Sequence, residues 1–280
     1  MIKLKLHAEW MDEKSIREVY NKYTKGNYTW NNLYLTLDDD YDYLVVMNYP
    51  KCNFDPRKTV LFIHEPANIR QTWPQWYINP NSNSYLKIYP MPMVWYEHYL
   101  KDYNFLQNNS PEKTKDMSAI VSGMQKAHFE GGVQRYNFLP YLDKLTNCDI
   151  FGKGQYGFNL KNYKGSVKGK EEALLPYKYT FAGENSYERH YRTEKIIDPI
   201  ISECLCFYSG CPNIDDYIDP RALIKVDLSK PDEAIKLIQK AILDNEWEKR
   251  IQYIREEKYK ILNEKQIFPQ LEKDIKNGII

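Results

Sequence analysis

The stretch "GENSYERHYRTEKIID", Gly183 to Asp198, crowds carboxylates, two arginines, a histidine and a lysine around two tyrosines. It follows an apolar segment and runs into an apparent helix. Thr193 is of the type that caps a helix, leaving the backbone N–H groups of the first turn to meet an anion. Lys195 adds a mobile positive charge at that end, and Glu194 offers two acceptor oxygens suited to a ribose diol. Together they suit a nucleotide carrying both sugar hydroxyls and phosphates. By itself a Thr-Glu-Lys helix start is also ordinary capping chemistry, so its surroundings must decide.

The elements that would position this stretch alternate along the chain. "IKLKLH" reads as a strand, "DEKSIREVYNKY" as an amphipathic helix capped by Asp12, and "YDYLVVMNY" and "KTVLFIHE" as further strands. Strand, helix and strand in series imply parallel pairing. Residues 66–111 change to Trp, Pro, Asn and Tyr with little periodicity, so an irregular functional loop is expected there. A second series begins with the strand "MSAIVSGMQ" and the helix "GGVQRYNFLPYLDKL", entered through glycines. The strands "CDIFGKG" and "LLPYKYTFAG" precede the charged stretch. After it come the helix "TEKIIDPIISE", the strands "CLCFYSG" and "ALIKVDL", and the helix "KPDEAIKLIQKAIL". From Glu246 onward the chain reads as a charged helix with an apolar stripe through Trp247, Ile251, Ile254 and Leu262.

Two parallel α/β units follow, divided as residues 1–110 and 111–280. A ligand is expected in a cleft between them, beyond the carboxyl ends of the strands. The final helix is expected either to pack back on the first domain or to mediate self-association.

Composition narrows the function classes. The 280 residues carry 39 Lys+Arg against 38 Asp+Glu, a formal charge of +1, so no bulk field draws the chain to nucleic acid or to an anionic membrane. No apolar run approaches the roughly 20 residues of a membrane helix. The start "MIKLKLHAEW" lacks a signal-peptide layout, and a cytoplasmic protein without a membrane anchor is expected. Five cysteines argue against a secreted disulfide framework. Alternation points Cys204 and Cys206 to one face of a strand, as buried thiols rather than metal ligands. The Asp-x-Asp in "LDDDYDY" reads as a solvated turn, because it precedes a strand. No strand is followed by Gly-x-Gly-x-x-Gly, and no Gly-x-x-x-x-Gly-Lys-Ser/Thr loop occurs, which disfavours a nucleotide-dependent oxidoreductase and a phosphate-hydrolysing motor.

The order of words around the charged stretch is more specific. "FAGENS", "YRTEKIIDPIISECLCFYSGCP" and "ALIKVDLSKPDEAIKLI", in order over residues 181–238, resemble the donor-binding region of the α-1,3-fucosyltransferases, glycosyltransferase family ten. That pattern runs Phe-Glu-Asn-Ser/Thr, Tyr-x-Thr-Glu-Lys opening a helix, a strand ending near glycine, and a short strand before an Asp-Glu-Ala-Ile-like helix. The resemblance implies an α/β, GT-B fold, two Rossmann-like domains with parallel sheets facing a central cleft. It implies that Glu194 meets the ribose hydroxyls and Lys195 the phosphate. Glu184 and Asn185 line the donor pocket, and Tyr191 stands ahead of the helix. "GGVQRYNFLPYL" resembles the segment whose arginine contacts the diphosphate, which nominates Arg135. "TVLFIHEPANIR" resembles the strand whose terminal glutamate faces the acceptor, which nominates Glu65 as the base, although the family word is Gly-Glu-Asn where this chain has His64-Glu65-Pro66.

The implied activity is an inverting transfer of a sugar from a nucleotide-sugar donor to a glycan hydroxyl. A carboxylate takes the proton on one side while cations steady the departing diphosphate on the other, with no metal and no cofactor. GDP-fucose is the first donor expected, with a UDP- or dTDP-linked hexose, deoxyhexose or N-acetylhexosamine as competitor. Three departures border the donor: Arg192 for an apolar residue, the inserted Gly183, and Ser209 for an aromatic one. Trp73, Trp76, Tyr77 and Trp95 are flat faces that could hold an acceptor glycan, burial being the expectation for Trp95. His64 and His190 show no clear partner in sequence. A non-catalytic carbohydrate- or nucleotide-binding subunit on the same fold is the rival class, distinguished by the absence of slow donor hydrolysis.

Overall fold

A computed structural model describes residues 1–72, 85–95, 97–123 and 129–280. Contacts divide them into two units: residues 1–94, 101–108 and 262–280 form the first, residues 95–100 and 109–261 the second.

The first unit is built on six strands: β1 (Ile2–Ala8), β2 (Thr29–Trp30), β3 (Leu33–Thr36), β4 (Tyr43–Met47), β5 (Thr59–Ile63) and β6 (Lys87–Pro90), in the order β2-β3-β1-β4-β5-β6. All neighbours are parallel except β2 against β3. Strands β4 and β5 are buried nearly throughout, the mark of central parallel strands covered on both faces. The Glu13–Asn21 helix starts at Asp12, whose carboxylate accepts from the Ser15 amide at 2.9 Å, and turns Ile16 and Tyr20 inward. The Ile267–Lys276 helix belongs to this unit. Glu272 accepts from the Trp30 indole at 3.1 Å, and Asp274 accepts from Lys87 and from the Tyr89 hydroxyl, each at 2.5 Å.

Sequence reasoning passed over three of these strands. The β2–β3 hairpin turns through Asn31 and Asn32, with Asn31 at φ +51°, between strands too short to show a period. Strand β6 lies inside the segment expected to be irregular. It pairs in parallel with β5, placing Tyr89 opposite Phe62 with the rings stacked at 4.5 Å. A helix at Tyr103–Asn108 interrupts the same segment.

The second unit carries β7 (Lys115–Ile120), β8 (Cys148–Phe151), β9 (Tyr177–Gly183), β10 (Leu205–Ser209) and β11 (Leu223–Lys225), in the order β11-β10-β9-β7-β8, all parallel. Strand β10 is wholly buried, as is one full stretch of the Glu194–Ile201 helix, Ile196 to Ile201. The helix expected over "GGVQRYNFLPYLDKL" is two pieces, Glu130–Asn137 and Leu139–Leu142. Pro140 stands in the first turn of the second piece, where a missing N–H costs no helical bond.

Residues 95–100 join this unit rather than the first: Trp95 and Tyr99 are buried, Tyr99 shares a 2.7 Å hydrogen bond with Ser202, and the Leu100 amide donates to Glu171 at 2.9 Å. The charged C-terminal stretch is likewise not one helix. Glu246–Lys260 stays in the second unit, a π-type turn follows at Ile261–Lys265, and within it the chain passes to the first unit at Leu262. Two parallel-sheet α/β units fit the expected α/β, GT-B class. Among the described residues no helix is long and apolar enough to cross a membrane.

Candidate donor site at the end of β9

Strand β9 ends at Gly183, opposite Ser209 of β10, and Glu184 and Asn185 leave its carboxyl end. Three side chains and a helix start meet around this exit. Arg135, on the Glu130–Asn137 helix, donates through Nη1 to the Gly183 carbonyl and through Nη2 to Asn185 Oδ1 at 3.0 Å. Glycine permits this approach: a Cβ at Gly183 would stand 3.3 Å from the Arg135 stem. The first turn of the same helix comes closer still, since a Cβ on Gly131 would lie 2.4 Å from the Glu184 carbonyl oxygen. Burial lowers the Arg135 guanidinium from its ordinary value, opposed by the carboxylates of Glu184 and Glu194.

Glu184 is fully enclosed. Its Oε1 accepts from the Thr193 amide at 2.9 Å and from the Tyr208 hydroxyl at 3.3 Å. Its Oε2 accepts from the Thr193 hydroxyl at 2.7 Å and lies 3.6 Å from Lys195 Nζ. A carboxylate so committed acts on the helix start. It fixes Thr193, and Thr193 Oγ1 in turn accepts from the Lys195 amide at 3.3 Å and from Lys195 Nζ at 3.1 Å. The cap expected from the Tyr-Arg-Thr-Glu-Lys word is therefore present, secured from below by an acid nine residues earlier in the chain.

Glu194 opens the helix with a quarter of its side chain exposed, and its Oε1 meets Lys195 Nζ at 3.2 Å and Lys170 Nζ at 3.5 Å. Burial pushes this carboxyl up, but the two lysines outweigh it and hold it well below the usual carboxylate range, so Glu194 is ionised at neutral pH. Tyr191 is buried two residues ahead of the cap. The exit of β9 thus gathers Arg135, Glu184, Asn185, Tyr191, Glu194 and Lys195 within one unit. Cations and acceptor oxygens stand beside a helix N-terminus, an arrangement able to take a phosphate and a diol.

The remaining candidates stand elsewhere. Glu65 is half-buried two residues beyond β5, at the carboxyl end of a central strand of the first unit, with the preceding His64 amide anchored on Asn48 Oδ1 at 2.8 Å. Trp73, Trp76 and Tyr77 lie outside the described residues. His190 sits at φ +70° in a network: its amide donates to Asn213 Oδ1 at 2.8 Å, and its Nδ1 meets the Tyr217 hydroxyl at 2.5 Å and Asn213 Nδ2 at 3.0 Å. The acids of "LDDDYDY" face solvent, Asp39 lying 2.7 Å from Lys5 and Asp40 2.7 Å from Lys3. Cys204 and Cys206 are buried, and burial pushes both thiols up. Among the described residues no three His, Cys, Asp or Glu side chains are grouped to hold a metal.

Sequence reasoning missed one neighbour of the site and the contacts of a second. Lys170, from the 3-10 turn Lys170–Ala173 ahead of β9, bonds Asp198 Oδ2 at 2.8 Å as well as approaching Glu194. Arg192 was noticed only as a departure from the family. Its guanidinium is buried, lies 3.6 Å from the centre of the Tyr217 ring and donates to the His190 carbonyl at 3.2 Å, tying the helix start to the loop after β10. Neither partner has a local sequence signal.

Comparison with known proteins bears on the same region. The family model for glycosyltransferase family 10 (fucosyltransferase), C-terminal part, matches residues 110–270. An alpha-(1,3)-fucosyltransferase, FucT, of Helicobacter pylori is 33% identical over 100 residues, which is 35% of this chain and 20% of that protein. The match thus spans a fifth of that relative's length. Among solved structures, an alpha1,3-fucosyltransferase with GDP is 19% identical over 93% of this chain and 90% of its own, with a TM-score of 0.49. WaaG, a glycosyltransferase involved in lipopolysaccharide biosynthesis, is 10% identical over 99% of this chain and 100% of its own, also at 0.49. With the family model covering more than half of the chain, and every residue around the exit of β9 within it, this protein belongs to glycosyltransferase family 10, the fucosyltransferase family.

Proposed function

We propose that the protein is an inverting glycosyltransferase that moves a sugar, fucose from GDP-fucose first, to a hydroxyl of a glycan acceptor. What carries the reading is the Arg135, Glu194 and Lys195 cluster around the Thr193-capped helix start, within a segment that matches a fucosyltransferase family. In it the diphosphate lies against Arg135, Lys195 and the helix amides, the ribose hydroxyls donate to Glu194, and Asn185 and Tyr191 complete the pocket. Glu184 serves from beneath by holding Thr193.

In the reaction the acceptor oxygen forms its bond to the anomeric carbon as the bond from that carbon to the diphosphate oxygen breaks, on opposite faces. The acceptor proton passes to Glu65, and negative charge grows on the leaving diphosphate. Arg135, held on Gly183 and Asn185, and the movable Lys195 ammonium take up that charge, a role that needs no divalent ion. Trp73 and Trp76 are proposed as acceptor faces.

Arg192, Gly183 and Ser209 depart from the family where they border the donor, so the competing reading is a UDP- or dTDP-sugar on the same machinery. Calorimetric titration with GDP and UDP separates the two: binding of UDP with none of GDP ends the fucose reading. A screen of nucleotide sugars for released diphosphate, run with and without a chelator, tests transferase activity and metal independence together. Absence of even slow donor hydrolysis would leave the non-catalytic binding subunit instead. The anomeric configuration of the product by NMR tests inversion, since a product that keeps the donor configuration excludes it.

A further inference from the structure

We propose that Lys170 is a positioning residue of the donor site, which fixes the Glu194 carboxylate for the ribose diol; this rests on the donor reading above. Glu194 and Asp198 are four residues apart on one helix, so their carboxylates share a face and repel each other. Lys170 Nζ lies between them, 2.8 Å from Asp198 Oδ2 and 3.5 Å from Glu194 Oε1. Asp198 is almost fully buried and serves as the fixed anchor, while the Lys170 and Glu194 side chains retain partial exposure, at 17% and 24%.

Lys195 reaches the same Oε1 from its own backbone position, at 3.2 Å. Two cations from different elements therefore grip one oxygen, and a carboxylate held from two sides loses the rotamer freedom that binding would otherwise have to remove. The two lysines are not equivalent. Lys195 also bonds Thr193 and is proposed to contact phosphate, so a donor draws it toward the diphosphate, whereas Lys170 stays bound to Asp198.

The turn that carries Lys170 is itself tied down. The Lys170 amide donates to the His98 carbonyl at 3.3 Å, and Glu171 accepts from the Leu100 amide at 2.9 Å. The segment 95–100, which joins the second unit, thus braces the turn that sets Glu194. This gives the excursion of that segment a purpose at the site.

The test is calorimetric titration of the full chain and its variants with GDP and 2′-deoxy-GDP, and with UDP and 2′-deoxy-UDP. The wild type should prefer the ribo form. Lys170→Met should weaken the ribo form about tenfold and leave the 2′-deoxy form nearly unchanged, so that discrimination collapses; Lys170→Arg should restore it. Should Lys170→Met fail to fold by circular dichroism, Lys170→Gln, which keeps an N–H donor but not the charge, supplies the same comparison. A merely structural lysine would weaken both forms alike, and an unchanged ratio of the two affinities overturns the proposal while leaving the donor reading intact. A wild type that binds neither nucleoside diphosphate sinks the donor reading and this proposal with it.

Discussion

Replacing Thr193 by Val removes one oxygen that serves two structures, the helix cap and the buried carboxylate beneath it. The hydroxyl donates to Glu184 Oε2 at 2.7 Å and accepts from the Lys195 amide at 3.3 Å. Loss of a helix cap costs about 1 kcal/mol. Loss of a hydrogen bond to a charged group costs about 1.5–3 kcal/mol. Glu184 is fully enclosed but keeps the Thr193 amide and the Tyr208 hydroxyl as donors, so the middle of that range, about 2 kcal/mol, applies and the sum is about 3 kcal/mol. With a urea m-value of about 2–3 kcal/mol per M for a unit of this size, the unfolding midpoint of the second unit should fall by about 1–1.5 M. Thr193→Ser keeps the hydroxyl and should stay within about 0.5 kcal/mol of the wild type. The assay is urea unfolding by circular dichroism, with nucleoside diphosphate titration as a second measurement. Affinity should fall in the Val variant because the Lys195 ammonium loses its 3.1 Å contact with the same oxygen. A Val variant as stable as the Ser variant would refute the argument that this oxygen links Glu184 to the helix start.

Three further outcomes follow from the same geometry. Glu65→Gln should bind GDP as the wild type does and lose at least about 10²-fold in transfer rate, measured by released diphosphate; normal transfer would assign the base elsewhere. Gly131→Ala, which in an open helix would stabilise by about 1 kcal/mol, should instead destabilise by about 1–3 kcal/mol in urea titration, because the new methyl meets the Glu184 carbonyl at 2.4 Å. A stabilised variant would show that the close approach is not obligatory. Burial pushes the buried Glu203 carboxyl up, but Lys258 and Arg255, at 2.8 and 2.9 Å, outweigh it and hold it below its ordinary 4.5. A depressed folded value means its stabilisation is complete above about pH 4.5 and is lost as pH falls through the lower folded value. Glu203→Gln should therefore be less stable by about 3 kcal/mol at pH 7, with the gap narrowing below pH 4.5; a constant gap down to pH 3.5 would contradict it.

Much was legible in the sequence because the signals involved are local. The short apolar runs in "KTVLFIHE" and "CLCFYSG" mark strands with nearby partners, and the side chains of Asp12 and Thr193 cap their helices because a cap acts within three residues. The order of the words from Phe181 to Ile238 identified the family and nominated Glu194 and Lys195, while the separate word "GGVQRYNFLPYL" nominated Arg135. Short or broken elements were not legible. A two-residue strand such as Thr29–Trp30 shows no period, and Lys87–Pro90 is a strand only because β5 offers it an unpaired edge.

The tertiary structure alone decided how the site is supported. Lys170 reaches Glu194 from another element, Arg192 meets Tyr217 across a loop, and residues 95–100 leave the first unit to brace the turn ahead of β9. The role of Glu184 changed for the same reason: its position in the Glu-Asn word suggested a pocket wall, while complete burial against Thr193 turns it inward. The sequence by itself determined which chemistry could assemble, since residue type and short spacing set charge, capping and periodicity. Only packing decided which of those charges are anchored, because contacts between elements distant in the chain form once the sheet has fixed their register.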